Sequence, residues 1–156
     1  MSGRKTLPHA TPRWLDPSRE IFFITISARP RGLNQLANPQ VTPALLSTIE
    51  HRHSRGEWFA YLFLFMPDHV HALLSFPPNG SSMQETIGRW KRWTACRHDI
   101  DWQRDFFDHR LRHDESAIEK SEYILQNPVR AGLIEKGSDW PYIWKAPEAH
   151  FLAIQR

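Results

Sequence analysis

Two histidines one residue apart, His69 and His71, lie in the apolar run FMPDHVHALLSF, Phe65 to Phe76. In a strand, residues i and i+2 point the same way. Both imidazoles would then share one face, with Val70, Ala72, Leu74 and Phe76 on the other. Two neutral imidazoles so placed can bind one divalent ion through their ring nitrogens. Two surface histidines on a half-exposed strand would give the same pattern, and H-x-H alone does not separate the readings. An eight-stranded α/β barrel bearing an H-x-H metal site is too large for 156 residues. Asp68 adjoins the pair but falls on the opposite face, where it is expected to cap the turn.

The elements that must hold these side chains can be read from residue type. IFFITIS, Ile21 to Ser27, is β-branched and aromatic and reads as a strand. Residues 28–40 carry Pro30, Gly32, Asn34, Asn38 and Pro39 and read as a loop. Thr42 followed by Pro43 reads as an N-cap and a first-turn proline, opening a helix that stops near Gly56. WFAYLFLF, Trp58 to Phe65, and the histidine segment are two strands separated by MPD, which predicts an antiparallel hairpin. Ser82 and Glu85 form a capping-box pattern before a second helix with Met83, Ile87, Trp90 and Thr94 on one face. Trp90 and Trp93 are both read as core. A short strand lies within Asp105 to Arg112, a third helix spans Asp114 to Gln126, and NPVRAG begins a new element.

The order βαββαβα predicts an α+β fold with a ferredoxin-like, RRM-like split βαβ sheet of four to five antiparallel strands. Helices should cover one face and leave the other for a site. The chain is long enough for one domain, 1–156, with an extended basic arm over 1–19 and a C-terminal tail over 137–156.

Composition narrows the class of partner. Twenty Lys and Arg against seventeen Asp and Glu give a formal charge of +3, but the charge is uneven. Residues 1–31 hold six basic and two acidic residues, and 86–112 hold seven and four, which suits a polyanion. Solvated surface charge is the plainer explanation for any single one of them. Cys96 is the only cysteine, so an intramolecular disulfide and a thiolate zinc cluster are excluded. No apolar run approaches the ~20 residues of a membrane span, and the polar N-terminus has no signal core. The expectation is a soluble, cytoplasmic protein with no membrane partner.

Two motifs then carry a resemblance. Met66-Pro-Asp-His-Val-His71 matches an MPxHVH stretch, and Tyr123-Ile-Leu-Gln-Asn-Pro-Val-Arg-Ala-Gly-Leu133 matches Y-x-x-x-NPVRAGL. Trp102-Gln103 and the opening LPHATPRW before FFITIS also match. In these the chain resembles the HUH single-strand transposases with one catalytic tyrosine, in particular the REP-associated tyrosine transposases. The resemblance implies an HUH-type nuclease fold and a bacterial, nucleoid-associated setting. It implies metal-dependent nicking and joining of single-stranded or hairpin DNA, with Tyr123 as nucleophile and a 5′-phosphotyrosine intermediate. His69 and His71 would ligate a divalent ion, magnesium or manganese. The family pattern places a third, amide ligand four residues after the tyrosine, at Asn127, with Gln126 as the alternative. Asn127 precedes Pro128, which disfavours a helical backbone there, and it could instead cap the next helix.

On a helical wheel Ile118, Ser121 and Leu125 mark the expected core side and Tyr123 lies off it. Tyr61 reads as core or sheet surface, and Tyr142 lies in the tail. Candidate DNA-contacting residues are Arg4, Lys5 and Arg13 on the arm, Arg89, Lys91 and Arg92 on the second helix, Arg110 and Arg112 near the last strand, and Arg130. Two other functions fit the same residues: a domesticated module that grips hairpin DNA without cutting, and a small metal-dependent hydrolase using water. Monomer and homodimer are both compatible with the sequence.

Overall fold

The computed structural model describes residues 20–112 and 115–147. The chain runs β1 Phe22–Ser27, α1 Thr42–Ser54, β2 Phe59–Phe65, β3 His69–Ser75, α2 Met83–His98, β4 Phe107–Arg110, α3 Ala117–Leu125, α4 Asn127–Arg130 and β5 Ile143–Lys145. The strands form one sheet in the order β4-β1-β3-β2-β5, every pairing antiparallel. The first four strands have the split βαβ order expected. The tail contributes β5, which pairs with β2 at the sheet edge.

β3 is the central strand, and its alternation separates two cores. Val70, Ala72 and Leu74 join Ile24, Ile26, Phe63 and Phe65 beneath Leu45 and Ile49 of α1 and Ile87 and Trp90 of α2. Trp90 is fully buried against Trp58, Phe63 and Trp102, with its indole N–H donating to Thr48 Oγ1 at 2.9 Å. Removing such a side chain to Ala costs about 3–5 kcal/mol. Leu73 joins Phe59, Tyr61, Leu62 and Leu64 in a second core on the opposite face, closed by Ala117 and Ile124 of α3. Helices therefore cover both faces, not one, because four β2 side chains, Phe59, Tyr61, Leu62 and Leu64, project to the second face around an irregularity between Ala60 and Leu62.

The ends of several elements differ from the sequence expectation. Val41 occupies the α1 cap position, and Thr42 is the first helical residue. Its hydroxyl is drawn into the preceding loop, donating to Leu36 O and accepting from Asn38 N. α2 carries the expected capping box, with Ser82 and Glu85 bonding reciprocally. α3 starts at Ala117 because Ser116 accepts from Glu119 N and caps it; Asp114, the predicted start, lies outside the described residues. Its buried positions are Ala117 and Ile124, while Ile118, Ser121 and Leu125 are half-buried. Arg112 lies beyond the end of β4.

Candidate active site

His69 and His71 project from β3 onto the α3 side of the sheet, with ring centroids 4.8 Å apart. The antiparallel register places Thr25 of β1 opposite His71 and Ser27 opposite His69. Thr25 Oγ1 lies 2.9 Å from His71 Nδ1, and the Phe23 ring stacks on the imidazole at 5.5 Å. Burial, then the neighbouring His69 and Arg130, push His71 down to about 3. Its imidazole is therefore neutral near pH 7, the form that ligates a metal.

His69 Nδ1 lies 2.8 Å from Asp68 Oδ1. The Asp68 carboxylate thus reaches the histidine pair and is not turned away from it as the strand alternation implied. Asp68 precedes the first residue of β3, so the strand's alternation does not bind it. Its other oxygen accepts from Gly32 N at 2.7 Å and Arg31 Nε at 2.9 Å. Burial would raise the Asp68 carboxyl, but hydrogen bonds from Arg31, His69 and Gly32 outweigh it and hold the group well below the usual carboxylate range. Each histidine therefore has Nδ1 engaged, leaving Nε2 as the open coordinating atom.

Tyr123 sits near the end of α3 and is 57% exposed, off the buried Ala117 and Ile124. The Arg130 guanidinium lies 4.1 Å over its ring, and Arg130 Nη2 donates to the Tyr123 carbonyl at 2.8 Å. Lys120, one turn earlier, places Nζ 5.5 Å from the Tyr123 ring and 5.2 Å from the Phe23 ring. A continuous chain of contacts thus runs from Tyr123 through Lys120 and Phe23 to His71. Tyr61 is buried and bonded to Ser75, with burial raising its phenol, and Tyr142 packs on Trp140.

The backbone stays helical through Asn127 despite Pro128. Gln126, not Asn127, is the α4 cap residue. Pro128 lacks the N–H that would bond the Ile124 carbonyl four residues back. Asn127 Nδ2 donates to that carbonyl instead, at 2.9 Å. Because a carbonyl must be met by a donor, the Asn127 amide oxygen is the atom left over. Asn127 is half-buried, whereas Gln126 is exposed. Among the described residues, no three His, Cys, Asp or Glu side chains are arranged to hold a metal ion.

The basic residues divide into two groups. Lys91 Nζ donates to Gln103 O and Arg104 O, tying α2 to the segment before β4. Arg110 pairs with Glu20 at 2.7 Å. Arg89, Arg92, Arg112 and Arg130 are exposed and form none of the described ion pairs, although Arg89 Nη2 donates to Ser81 Oγ at 2.6 Å and Arg130 to the Tyr123 carbonyl. Trp93 is not core: it is 43% exposed on α2, with Arg97 4.2 Å over its ring. Arg4, Lys5 and Arg13 lie outside the described residues. Sequence reasoning placed Asp68 on the wrong face and gave no role to Thr25 or Lys120. The spacing of three between Lys120 and Tyr123 could have found the last; the first two need the strand and loop pairings.

No family model matches the chain. It is similar to a curated protein of Haemophilus influenzae assigned to the REP-associated tyrosine transposases, 28% identical over 140 residues, covering 78% of this chain and 77% of that protein. A REP-associated tyrosine transposase of Escherichia coli K12 is 27% identical over 126 residues, covering 78% of this chain and 73% of the relative. A solved REP-associated tyrosine transposase bound to a REP hairpin superposes with a TM-score of 0.65 at 20% identity, over 92% of this chain and 82% of that one. That match establishes the shared fold. Among the described residues no helix is long and apolar enough to cross a membrane.

Proposed function

We propose that this chain, a relative of the REP-associated tyrosine transposases, is a metal-dependent enzyme that nicks and rejoins single-stranded DNA beside a REP-like hairpin. The observation that carries the reading is the exposed Tyr123, flanked by two cations, on the same side of the sheet as the paired histidines. The similarity to transposases in two bacteria supports it independently.

His69 and His71 would hold a divalent ion through Nε2, joined by the Asn127 amide oxygen. Imidazole with amide oxygen suits manganese, and magnesium fits if waters complete its shell. The bound ion would polarise the scissile phosphate and offset its charge. Tyr123 supplies the nucleophilic oxygen. It forms a bond to phosphorus as the bond to the 3′ oxygen breaks, and the leaving oxygen ends as a free 3′-hydroxyl. The 5′ phosphate stays on the tyrosine, so attack by a 3′-hydroxyl reverses the step and joins strands without ATP. This is covalent catalysis that divides one hard displacement into two. Arg130 and Lys120 hold the phosphate against the phenol. Arg89, Arg92 and Arg112 contact the DNA backbone, together with Arg4, Lys5 and Arg13 on the arm. The enzyme would work in the bacterial cytoplasm at the nucleoid.

The test is Tyr123→Phe, which keeps the ring and removes the attacking oxygen. Denaturing electrophoresis with hairpin DNA labelled at either end, in manganese or magnesium, should show a covalent adduct on the 5′ phosphate only with wild type. A protein that cleaves equally well as the Phe variant is a water-using hydrolase. One that cleaves in neither form is a hairpin-binding module. A shifted band persisting in the Phe variant would point to Tyr61 or Tyr142.

A further inference from the structure

The two histidines are anchored by groups of different chemistry. His71 Nδ1 faces the Thr25 hydroxyl, which can either donate or accept. His69 Nδ1 faces a carboxylate oxygen of Asp68, whose partner oxygen already accepts from Gly32 N and Arg31 Nε. That carboxylate cannot turn away. Asp68 O also accepts from Ala28 N at 2.8 Å. The loop after β1 also grips the preceding residue, with Gln35 N and Leu36 N donating to Pro67 O. Gly32 presents its N–H from a φ of +92°, a conformation that other residues adopt only with strain.

We infer that Asp68 is the positioning residue of the metal site. It fixes the proton of His69 on Nδ1, so that Nε2 is always the coordinating atom, while the Arg31–Gly32 loop holds Asp68 in place. The inference rests on the proposed role of the histidines. A carboxylate behind a ligating imidazole orients the ring and raises its basicity, and loss of such a partner costs about 10–100-fold in metal affinity. His69 thus becomes the ligand whose geometry is set before any ion arrives. His71 depends on an ambivalent hydroxyl and keeps no enforced tautomer.

The experiment compares wild type with Asp68→Ala, Asp68→Asn and Arg31→Gln. Two readouts are used, neither of which involves DNA. The first is the ¹⁵N–¹H imidazole correlation spectrum of the metal-free protein, with the His69 signals identified by their loss in His69→Gln. The second is Mn²⁺ binding, followed by loss of the free-ion electron paramagnetic resonance signal. In its neutral form wild-type His69 should carry its proton on Nδ1. Asp68→Ala should move the proton to a mixture of both nitrogens and weaken Mn²⁺ binding about 10–100-fold, with the His71 signals unchanged. Asp68→Asn has one oxygen to serve both His69 and Gly32, so it should weaken binding less than Ala does. Arg31→Gln leaves the Gly32 bond and should have the smallest effect. An unchanged His69 tautomer and unchanged Mn²⁺ affinity in folded Asp68→Ala would overturn the inference. If circular dichroism shows that Ala does not fold, the same unchanged pair in the near-isosteric Asn variant overturns it. A wild-type protein that binds no Mn²⁺ would overturn the metal reading of the histidines, while the tautomer measurement would still decide what Asp68 does.

Discussion

The Arg130 guanidinium stacks 4.1 Å from the centre of the Tyr123 ring and bonds the same residue's carbonyl at 2.8 Å. One side chain from α4 thus grips both the ring and the backbone of the proposed nucleophile on α3. The α3–α4 turn makes this grip available, because Gln126 keeps a helical backbone with φ −84° and ψ −4°.

Arg130→Ala should reduce adduct formation. A cation on an exposed ring face is worth about 0.5–1 kcal/mol, and a charge-assisted hydrogen bond about 1.5–3 kcal/mol when not screened. At this exposed position the lower part of that range applies, so the single-turnover rate should fall by about tenfold to a hundredfold. Arg130→Lys keeps the charge but loses the planar fork, and should fall between Ala and wild type. Equal rates for all three proteins would show that Arg130 does not position Tyr123.

Thr25 is predicted to matter through His71. Thr25→Val is nearly isosteric and suits a strand, so the unfolding free energy should change by no more than about 1 kcal/mol. The His71 ring loses its Nδ1 partner, so cleavage should fall several-fold while hairpin affinity holds. Wild-type cleavage in Thr25→Val would show that stacking on Phe23 alone holds the ring.

Much of this fold was legible because its signals are local. The strand alternation of VHALL and FITIS, the Ser82–Glu85 capping box and the hairpin spacing each depend on residues within one element. The Asp68 contacts were not legible. Its partners Arg31 and Gly32 lie 37 and 36 positions away and meet it only after β1 pairs with β3. Trp93 was misassigned because a second tryptophan one turn from Trp90 looks apolar, yet three residues at about 100° each leave it about 60° off the Trp90 face, at the edge of the buried stripe. The persistence of helix through Asn127 also escaped the rule for residues before proline. The Asn127 side chain meets the carbonyl that Pro128 cannot, a compensation visible only in three dimensions.

The exposed and engaged basic residues should separate under salt. DNA affinity should fall with salt as counterions are released, with a slope of about one unit per phosphate contact. Arg89→Gln and Arg92→Gln should each weaken hairpin binding and reduce that slope by about one unit. Lys91→Gln should leave the slope unchanged and lower stability instead, because Lys91 Nζ bonds Gln103 O and Arg104 O. Filter binding from low to moderate salt, alongside urea denaturation, reads both. A reduced slope for Lys91→Gln alone would reverse the assignment.

The pH dependence of the metal-free protein should carry the mark of His71. Burial first, then the neighbouring His69 and Arg130, push its folded-state value down to about 3, against about 6.5 in an unfolded chain. A depressed histidine is stabilising where both states are neutral, above the unfolded value. As pH falls through 6.5 the unfolded chain takes up a proton that the folded site refuses, so stability declines, and the contribution is fully lost near the folded value of about 3. His71→Gln removes this titration and little volume. Urea denaturation of both proteins in chelator, at pH 7.5, 6, 5 and 4, should show wild type losing stability faster than the variant between pH 6.5 and 4. The carboxylates titrate in both proteins and cancel in the comparison. Parallel curves would show that His71 protonates as readily in the folded protein as in the unfolded chain. The Thr25 and Phe23 contacts would then not keep it neutral.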